Sequence, residues 1–243
     1  MHSLLGHLET VGYQGAPRAL GLDDRGREIL SYIPGEVPAG DAPQAYVWTQ
    51  QTLITVARLL RRYHDAAASF TPPADAAWRT SDLPSREAEI ICHNDIAPWN
   101  TVFHAGCSVA FIDWDQASPG LKIWDVAFAI WHFVPLYDDE KCSRLGADAS
   151  LDARALRVRW FCDTYGCPPS PSVITAVIER QRRARARIRA LADQGSAAYV
   201  KLWQSGVEQS ILREATFVER NSPALARHLT PNSGAAAPAD ADR

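Results

Sequence analysis

The sequence predicts an α+β fold, in which a small β-containing N-terminal part is followed by a mainly helical body with a few short strands. Three observations support this class. A hairpin signal lies near the N-terminus, several long segments carry apolar residues at helical spacing, and two short apolar strands bracket a polar loop in mid-chain. Apolar residues make up 47% and charged residues 22% of the 243 positions, which is typical of a globular protein with a substantial core.

Composition and charge argue against several classes of protein. The net charge of −3 gives no reason to expect a nucleic acid or a membrane surface as a partner. The five cysteines form no CxxC pair, which argues against a disulfide framework or a zinc knuckle and suits a reducing compartment. The N-terminus lacks the pattern of a signal peptide, and no apolar run reaches the roughly 18 residues of a membrane span. We therefore expect a cytoplasmic protein.

The N-terminal part is expected to contain a helix and a hairpin. Residues 2–11 have leucines at helical spacing. Residues 18–33 form two apolar segments around the turn Asp23-Asp24-Arg25-Gly26, which is a good hairpin signal. Proline and glycine are frequent over residues 34–43, where strand pairing must stop. We place a domain boundary at the start of this linker.

The body is expected to begin with a long amphipathic helix over residues 44–68. Short strands are expected at 89–92 and 109–113. Further helices are predicted at 125–133, 151–165, 171–192 and 197–219, and a tail poor in large apolar residues is expected to be disordered. The expected division is therefore 1–35 for the N-terminal part, with its helix and hairpin, 36–221 for the body and 222–243 for the tail.

The loop between the two strands carries the residues that point to chemistry. It contains His93-Asn94-Asp95-Ile96-Ala97-Pro98-Trp99-Asn100, and Asp113 follows at the end of the next apolar strand. Phosphoryl transfer needs an oriented acceptor hydroxyl and a metal held on the phosphates by oxygen ligands. Asp95 supplies a carboxylate that can accept the hydroxyl proton. Asp113 and Asn100 supply the oxygen ligands that Mg²⁺ prefers.

Each of these pieces has a simpler explanation when it is taken alone. A His-x-Asp sequence in a loop is often only a hydrogen-bonded turn, and an aspartate at a strand end is usually a cap. Here the loop, the spacing to Asp113 and the intervening strand occur together and in order. The combination favours a phosphoryl-transfer site.

The motif resembles the protein-kinase signature H-R-D-x-x-x-x-N followed by D-F-G. It is more similar to the aminoglycoside phosphotransferase family, which is related to choline kinase-like phosphotransferases. The family patterns H-G/N-D-x-x-x-x-N and I-D-W/F-E/D correspond here to HNDIAPWN and FIDWDQA. The helix that ends in Leu59-Leu60-Arg61-Arg62-Tyr63-His64 resembles the family's L-x-x-L-H helix. The resemblance extends from about Arg18 to Ile130.

This resemblance implies a protein-kinase-like fold and a kinase that transfers the γ-phosphate of ATP to a hydroxyl of a small-molecule acceptor. Asp95 would be the catalytic residue, and Asn100 and Asp113 would bind Mg²⁺. The family's G-x-x-x-x-D pattern matches the segment from Gly120 to Asp125. ATP and GTP remain alternatives as the nucleotide.

Supporting roles also follow from the resemblance. Asp125 and His93 would brace the catalytic loop by hydrogen bonds. The segment Ser31, Tyr32 and Ile33 corresponds to the nucleotide hinge, whose backbone would contact the adenine.

One part of the family pattern has no counterpart in this sequence. There is no G-x-G-x-x-G, no V-A-I-K and no lysine before Lys122, although kinase-fold enzymes cover and pair the nucleotide phosphates with such elements. The resemblance therefore implies a chain that begins inside the N-terminal lobe, through a late start codon, a truncated gene or a degenerate member. A truncated, non-catalytic kinase-fold protein with a binding or regulatory role is accordingly the alternative function.

Two charged segments have simpler interpretations than a binding site. The basic run at 179–189 contains no interleaved aromatic residue, so a solvated helix face is favoured over a nucleic-acid surface. The acidic segment at 137–140 could attract a cationic acceptor, but a solvated loop is favoured. The tryptophans around the motif are expected to be core residues rather than an aromatic cage.

Overall fold

The computed structural model describes residues 1–38, 43–79 and 87–229. These ranges contain eight α-helices and six short strands, which confirms the predicted α+β class. The helices are α1 (His2–Thr10), α2 (Gln50–Ala67), α3 (Lys122–Phe133), α4 (Asp139–Leu145), α5 (Leu151–Tyr165), α6 (Pro171–Asp193), α7 (Ala197–Gln204) and α8 (Val207–Leu225). The strands are β1 (Ala19–Leu22), β2 (Glu28–Leu30), β3 (Ile90–Cys92), β4 (Thr101–His104), β5 (Cys107–Phe111) and β6 (Ser118–Gly120).

The strands form three separate antiparallel pairs. β1 and β2 make the hairpin predicted near the N-terminus, although the second strand ends at Leu30. β4 and β5 form a second hairpin that the sequence analysis did not anticipate, and β3 pairs with β6. As a result, the loop predicted to carry the chemistry, residues 93–100, lies between one strand of each of the last two pairs.

Helix α2 packs against strands β3 and β5, one before and one after the polar loop. The Thr49 hydroxyl caps its N-terminus by accepting a hydrogen bond from the backbone N–H of Thr52. Apolar residues recur along one face of the helix and are buried. At its C-terminal end, the hydroxyl of Tyr63 donates a hydrogen bond of 2.5 Å to the carbonyl of Ile91 in β3. The helix therefore fixes the strand that leads into the polar loop.

The hydrophobic core is continuous through the described residues. It joins Leu4, Leu5 and Leu8 of α1 to buried side chains of α2, α3, α5, α6 and α8. All ten residues from Trp124 to Phe133 are buried, so α3 is the central helix of the body. Within the described ranges, no helix combines the length and apolar character needed to cross a bilayer.

The C-terminal helices differ from the expected single helix over 197–219. The helical conformation is interrupted between α7 and α8 at Gly206, whose φ of 80° lies in the left-handed region that glycine adopts readily. Helix α8 then continues beyond Ser222 to Leu225, and both Leu225 and Leu229 are buried in the core. Residues 230–243 of the expected tail lie outside the described residues, as do residues 39–42 of the expected linker.

Candidate active site

The carboxylate of Asp125 holds the start of the polar loop. Its Oδ2 accepts a hydrogen bond of 2.8 Å from the backbone N–H of His93, and its Oδ1 accepts one of 2.7 Å from the N–H of Asn94. Asp125 lies in the first turn of α3 and is fully buried. Asn94 has a φ of 68°, which is a left-handed conformation, and its N–H faces the carboxylate of Asp125.

A buried chain of hydrogen bonds continues behind Asp125. His64 at the end of α2 places Nε2 at 3.1 Å from Asp125 Oδ2, and its Nδ1 lies 2.7 Å from the hydroxyl of Tyr165 in α5. Burial acts to raise the pKa of Asp125, but the hydrogen bond and charge of His64 and the N–H donors bring it below its ordinary value. Three helices therefore meet at this one ionised carboxylate.

His93 links the loop to the strand that precedes Asp113. The backbone N–H of Asp95 lies 3.3 Å from His93 Nδ1, so Nε2 is left to donate to the carbonyl of Ile112 at 3.2 Å. The ring is buried, and burial lowers its pKa. A neutral His93 thus holds Asp95 and the residue before Asp113 in register.

Asp95 is oriented by Asn100 across the loop. The Asn100 side-chain Nδ2 donates to Asp95 Oδ2 at 2.8 Å and to its backbone carbonyl at 3.0 Å. Burial, followed by repulsion from the Asp113 carboxylate, raises the pKa of Asp95 to about 6. The carboxylate is therefore ionised at neutral pH, yet close enough to neutrality to take up a proton.

Asp113 stands at the end of β5 with different surroundings. It is exposed and adopts a left-handed conformation with φ 60° and ψ 66°, and its side chain makes no hydrogen bond or ion pair with the described residues. The backbone N–H of Ile112 donates to the Asn100 carbonyl at 3.0 Å, which ties the two strands together here. Because Asn100 donates through Nδ2, its Oδ1 stays available. An unpaired carboxylate and an amide oxygen are donors that fit Mg²⁺.

A cavity of about 450 Å³ lies against Asp95. Aromatic and aliphatic side chains from α3, α6, α7 and α8 form most of its wall. Its lining includes Asp95, Trp99, Phe128, Trp131, Arg180 and Arg187. A cavity of this size next to an oriented carboxylate is suited to a small molecule.

Arg180 is a site residue that the sequence analysis did not single out. It is only 3% exposed, and its Nη2 donates to the carbonyl of Asn94 at 2.7 Å and to Asn94 Oδ1 at 3.2 Å. The interpretation of 179–189 as a solvated face is therefore wrong for this arginine and for Gln181. The signal was present, because positions 180 and 181 continue the buried stripe of Val173, Ile174 and Val177 at helical spacing.

The segment expected to act as the nucleotide hinge lies directly after β2. The N–H of Ser31 donates to the Arg18 carbonyl at 2.9 Å, and Tyr32 is exposed. Neither these residues nor Ile33 line the cavity beside Asp95. The structure thus brings Asp95, Asn100, Asp113, His93 and Asp125 together and places the hinge segment elsewhere in the N-terminal part.

Comparisons with known proteins agree with this geometry. Residues 74–158 match the family described as the phosphotransferase enzyme family, APH. The trifolitoxin immunity protein of Rhizobium leguminosarum bv. trifolii is 40% identical over 171 residues, which is 68% of this chain. The match spans 62% of that protein's length.

Solved structures show the same fold at low sequence identity. The GDP and kanamycin complex of an aminoglycoside phosphotransferase, APH(2"), has a TM-score of 0.54 and 13% identity, covering 88% of this chain and 81% of that one. The GDP complex of wild-type aminoglycoside 2'-phosphotransferase-IIIa has a TM-score of 0.52 and 12% identity, covering 91% and 80%. The family resemblance and the protein-kinase-like fold predicted from the sequence are confirmed.

Proposed function

We propose, from the premise that residues 74–158 match the phosphotransferase enzyme family, that this chain transfers the γ-phosphate of a nucleoside triphosphate to a hydroxyl of a small molecule. ATP is the nucleotide expected from the sequence. The two solved relatives contain GDP, so GTP is tested beside it.

The observation that carries the proposal is the placement of Asp95. Its carboxylate lines a cavity, is aimed by the Asn100 amide, and has a pKa raised to about 6 by burial and by Asp113. A carboxylate with a raised pKa of this size is still mostly ionised at neutral pH, and it is a better proton acceptor than an ordinary aspartate. A loop with only a structural role does not require a half-buried carboxylate next to a second one.

In the proposed reaction, the acceptor hydroxyl donates a hydrogen bond to Asp95, which orients its oxygen toward the γ-phosphorus. A bond forms between that oxygen and phosphorus while the bond to the nucleoside diphosphate breaks, and the hydroxyl proton passes to Asp95. Asn100 and Asp113 would hold Mg²⁺, which neutralises charge on the phosphates when it is bound. We propose that the nucleotide's adenine contacts the backbone of Ser31, Tyr32 and Ile33.

A second candidate is immunity by binding alone. The support for it is the name of the relative with 40% identity, an immunity protein. A kinase-fold chain could protect against a toxin by holding it in the cavity, without phosphoryl transfer. This candidate corresponds to the non-catalytic alternative that the sequence left open.

Four matched variants separate the two candidates. Asp95→Asn keeps the acceptor for the Asn100 amide but cannot take the proton, so turnover should fall about 10²–10⁴-fold while Mg-nucleotide affinity changes little. Asp113→Asn should weaken Mg²⁺-dependent nucleotide binding and turnover together. Asn100→Ala should fall between them. Asp152→Asn, an exposed residue paired with Arg227, is the control and should resemble the unchanged protein.

The measurements are calorimetry with Mg-ATP and Mg-GTP, and release of the nucleoside diphosphate with water, kanamycin or hydroxymethyl naphthalenes as acceptors. Equal loss of nucleotide binding in Asp95→Asn and Asp113→Asn would contradict the division of roles. Absence of nucleotide binding and turnover in the folded unchanged protein would contradict the kinase proposal and favour the binding candidate.

A further inference from the structure

The cavity beside Asp95 has an unusual set of charges. The titratable side chains in its lining are Asp95, His132, Lys141, Arg180, Arg187, Tyr199 and Glu214. Asp95 and Glu214 are the two carboxylates among the lining residues, and three side chains carry a positive charge. Which of these charges remain available to a ligand decides what kind of acceptor the cavity can bind.

The charge of Glu214 is already used within the protein. Its side chain is 1% exposed and pairs with Lys141 Nζ at 2.7 Å. Trp131 Nε1 donates to Oε2 at 2.7 Å, and the Ser210 hydroxyl donates to Oε1 at 2.8 Å. The charges of Glu214 and Lys141 therefore neutralise each other, and Glu214 has few acceptor positions left for an amine of a ligand.

Arg187 lies two turns after Arg180 on the same helix and faces the same cavity. It makes no hydrogen bond or ion pair with the described residues, and its charge acts on Asp95. Arg180, by contrast, is buried and donates to Asn94. Arg187 is thus the cation that can reach a ligand without first releasing a partner.

Other polar atoms of the cavity are also unused. His132 is 4% exposed and its Nδ1 lies 2.8 Å from the Tyr137 hydroxyl, but its Nε2 has no hydrogen-bond partner among the described residues. Gln116 Oε1 also lacks a hydrogen-bond partner among the described residues. Buried polar atoms without partners are costly, so these atoms are available to bind polar groups of a ligand.

The walls of the cavity are apolar and aromatic. Trp99 is 44% exposed and meets the ring of His132 edge-on at 4.7 Å, and Phe128, Ile188 and Leu202 add to the apolar wall. Such a surface favours a planar body over a hydrated sugar.

The acidic segment at 137–140 does not supply negative charge to the cavity. Asp138 caps α4 and lies 3.9 Å from an Arg213 nitrogen, and Asp139 lies 3.4 Å from Arg154. None of the three acidic side chains lines the cavity. A polycationic aminoglycoside, such as the kanamycin bound to one solved relative, would find Asp95 as the single lining carboxylate that no cation contacts directly, too few for its several amines.

We propose that the cavity binds an acceptor with a flat apolar body and a carboxylate or similar anionic group, which Arg187 recognises while the hydroxyl of the acceptor faces Asp95. That the bound molecule is an acceptor rests on the proposed kinase function; the preference for an anionic, flat ligand rests on the cavity alone. A volume of about 450 Å³ accommodates two fused rings with a substituent at each end.

A naphthalene series tests this preference by binding alone. Each member carries a hydroxymethyl group on one ring and, on the other, a carboxylate, a carboxamide or an aminomethyl group, so that the members are similar in size and differ chiefly in charge. Calorimetry without nucleotide should give an affinity for the carboxylate about tenfold higher than for the amide, with the amine and kanamycin weaker still. Arg187→Gln should bring the carboxylate down to the affinity of the amide. Arg189→Gln, an exposed neighbour on α6 outside the lining, should retain the preference.

Equal or tighter binding of the amine would overturn the proposal, as would a carboxylate preference that survives in Arg187→Gln. The kinase function is measured separately, by phosphorylation of the same compounds with Mg-ATP. Selective binding without phosphorylation would leave the cavity assignment standing and remove the kinase proposal. Phosphorylation that favours the amine would do the reverse.

Discussion

Asp95 illustrates, at the scale of a single residue, how the role proposed for a side chain can oppose stability. The carboxylate is half-buried, faces the charge of Asp113, and has its pKa raised from 3.8 to about 6. In the unfolded chain the same group ionises near its ordinary pKa. Between these two values the folded state retains a proton that the unfolded state has lost, so ionisation of Asp95 at neutral pH weakens the fold.

The first stability prediction concerns Asp95→Asn. The amide removes the charge and can still accept the hydrogen bond from Asn100. The variant should therefore be more stable than the unchanged protein at about pH 8, by about 1–2 kcal/mol after allowance for partial solvent screening. The gain should shrink as the pH falls through 6 and vanish below the ordinary aspartate pKa. Urea unfolding at several pH values measures it, and a variant that is less stable at pH 8 would contradict the burial argument.

At the scale of elements, the first turn of α3 fixes the polar loop, residues 93–100, to the helices that pack against it. Asp125 accepts two backbone N–H groups of the loop and faces His64 of α2, which in turn contacts Tyr165 of α5. Helix α6 holds the other side of the loop through Arg180. The loop geometry therefore depends on the packing of four helices as well as on contacts within the loop.

The corresponding prediction is for Asp125→Asn. The amide group can face only one of the loop N–H donors with an acceptor, so buried donors lose partners, and the variant should lose about 2–4 kcal/mol of stability at neutral pH. Because the pKa of Asp125 is lowered in the folded state, this contribution is present above the ordinary aspartate pKa and is lost as the pH falls. The difference in stability between Asp125→Asn and the unchanged protein should therefore become smaller in acid. At neutral pH the two predictions have opposite signs, because Asp125→Asn should be less stable than the unchanged protein and Asp95→Asn more stable.

Asp115→Asn is the matched control for Asp125→Asn. Asp115 lies nearby in sequence, is exposed and pairs with Arg79 at 2.8 Å, so its loss should change stability by less than about 0.5 kcal/mol. Guanidinium unfolding of all three proteins provides the comparison. An unchanged midpoint in Asp125→Asn would mean that the loop is held by other contacts.

The same elements show what could be predicted from sequence and what could not. The helix 151–165 was predicted with its observed ends, because Ser150 and Gly166 are local start and stop signals. The hairpin of β4 and β5 was missed, because its turn at Ala105 and Gly106 is short and the strand after Asn100 merges with the motif. Strand β6 was missed because its partner β3 is distant in sequence. Non-local pairing leaves little local signal.

A similar distinction applies to the candidate site. Asp95, Asn100, Asp113 and Asp125 were named from spacing and resemblance, and the structure brings them together. Arg180 was missed because a charged helix resembles a solvated one until its neighbours are known. Its place on the buried stripe of α6 follows from helical spacing, but its hydrogen-bond partner, the carbonyl of Asn94, lies outside any window of sequence around that helix.

At the scale of the whole molecule, the N-terminal part and the body share one core. The backbone N–H of Phe111 donates to the Gly15 carbonyl at 2.9 Å, and His7 Nε2 lies 3.1 Å from the carbonyl of Ala66. The leucines of α1 belong to the same buried cluster as the residues under the catalytic loop. Contacts of this kind predict that the described residues unfold as one cooperative unit rather than as two lobes in succession.

Leu8→Ala tests that cooperativity. Leu8 is 1% exposed in α1, so truncation should leave a cavity and cost about 2–5 kcal/mol. Since the core is shared, the loss should shift the whole unfolding transition, with calorimetric and van't Hoff enthalpies still in agreement. Val11→Ala, at a position 46% exposed just beyond the same helix, is the control and should shift the midpoint little. A separate low-temperature transition in Leu8→Ala, with the main transition unmoved, would show instead that α1 belongs to an independently folding N-terminal lobe.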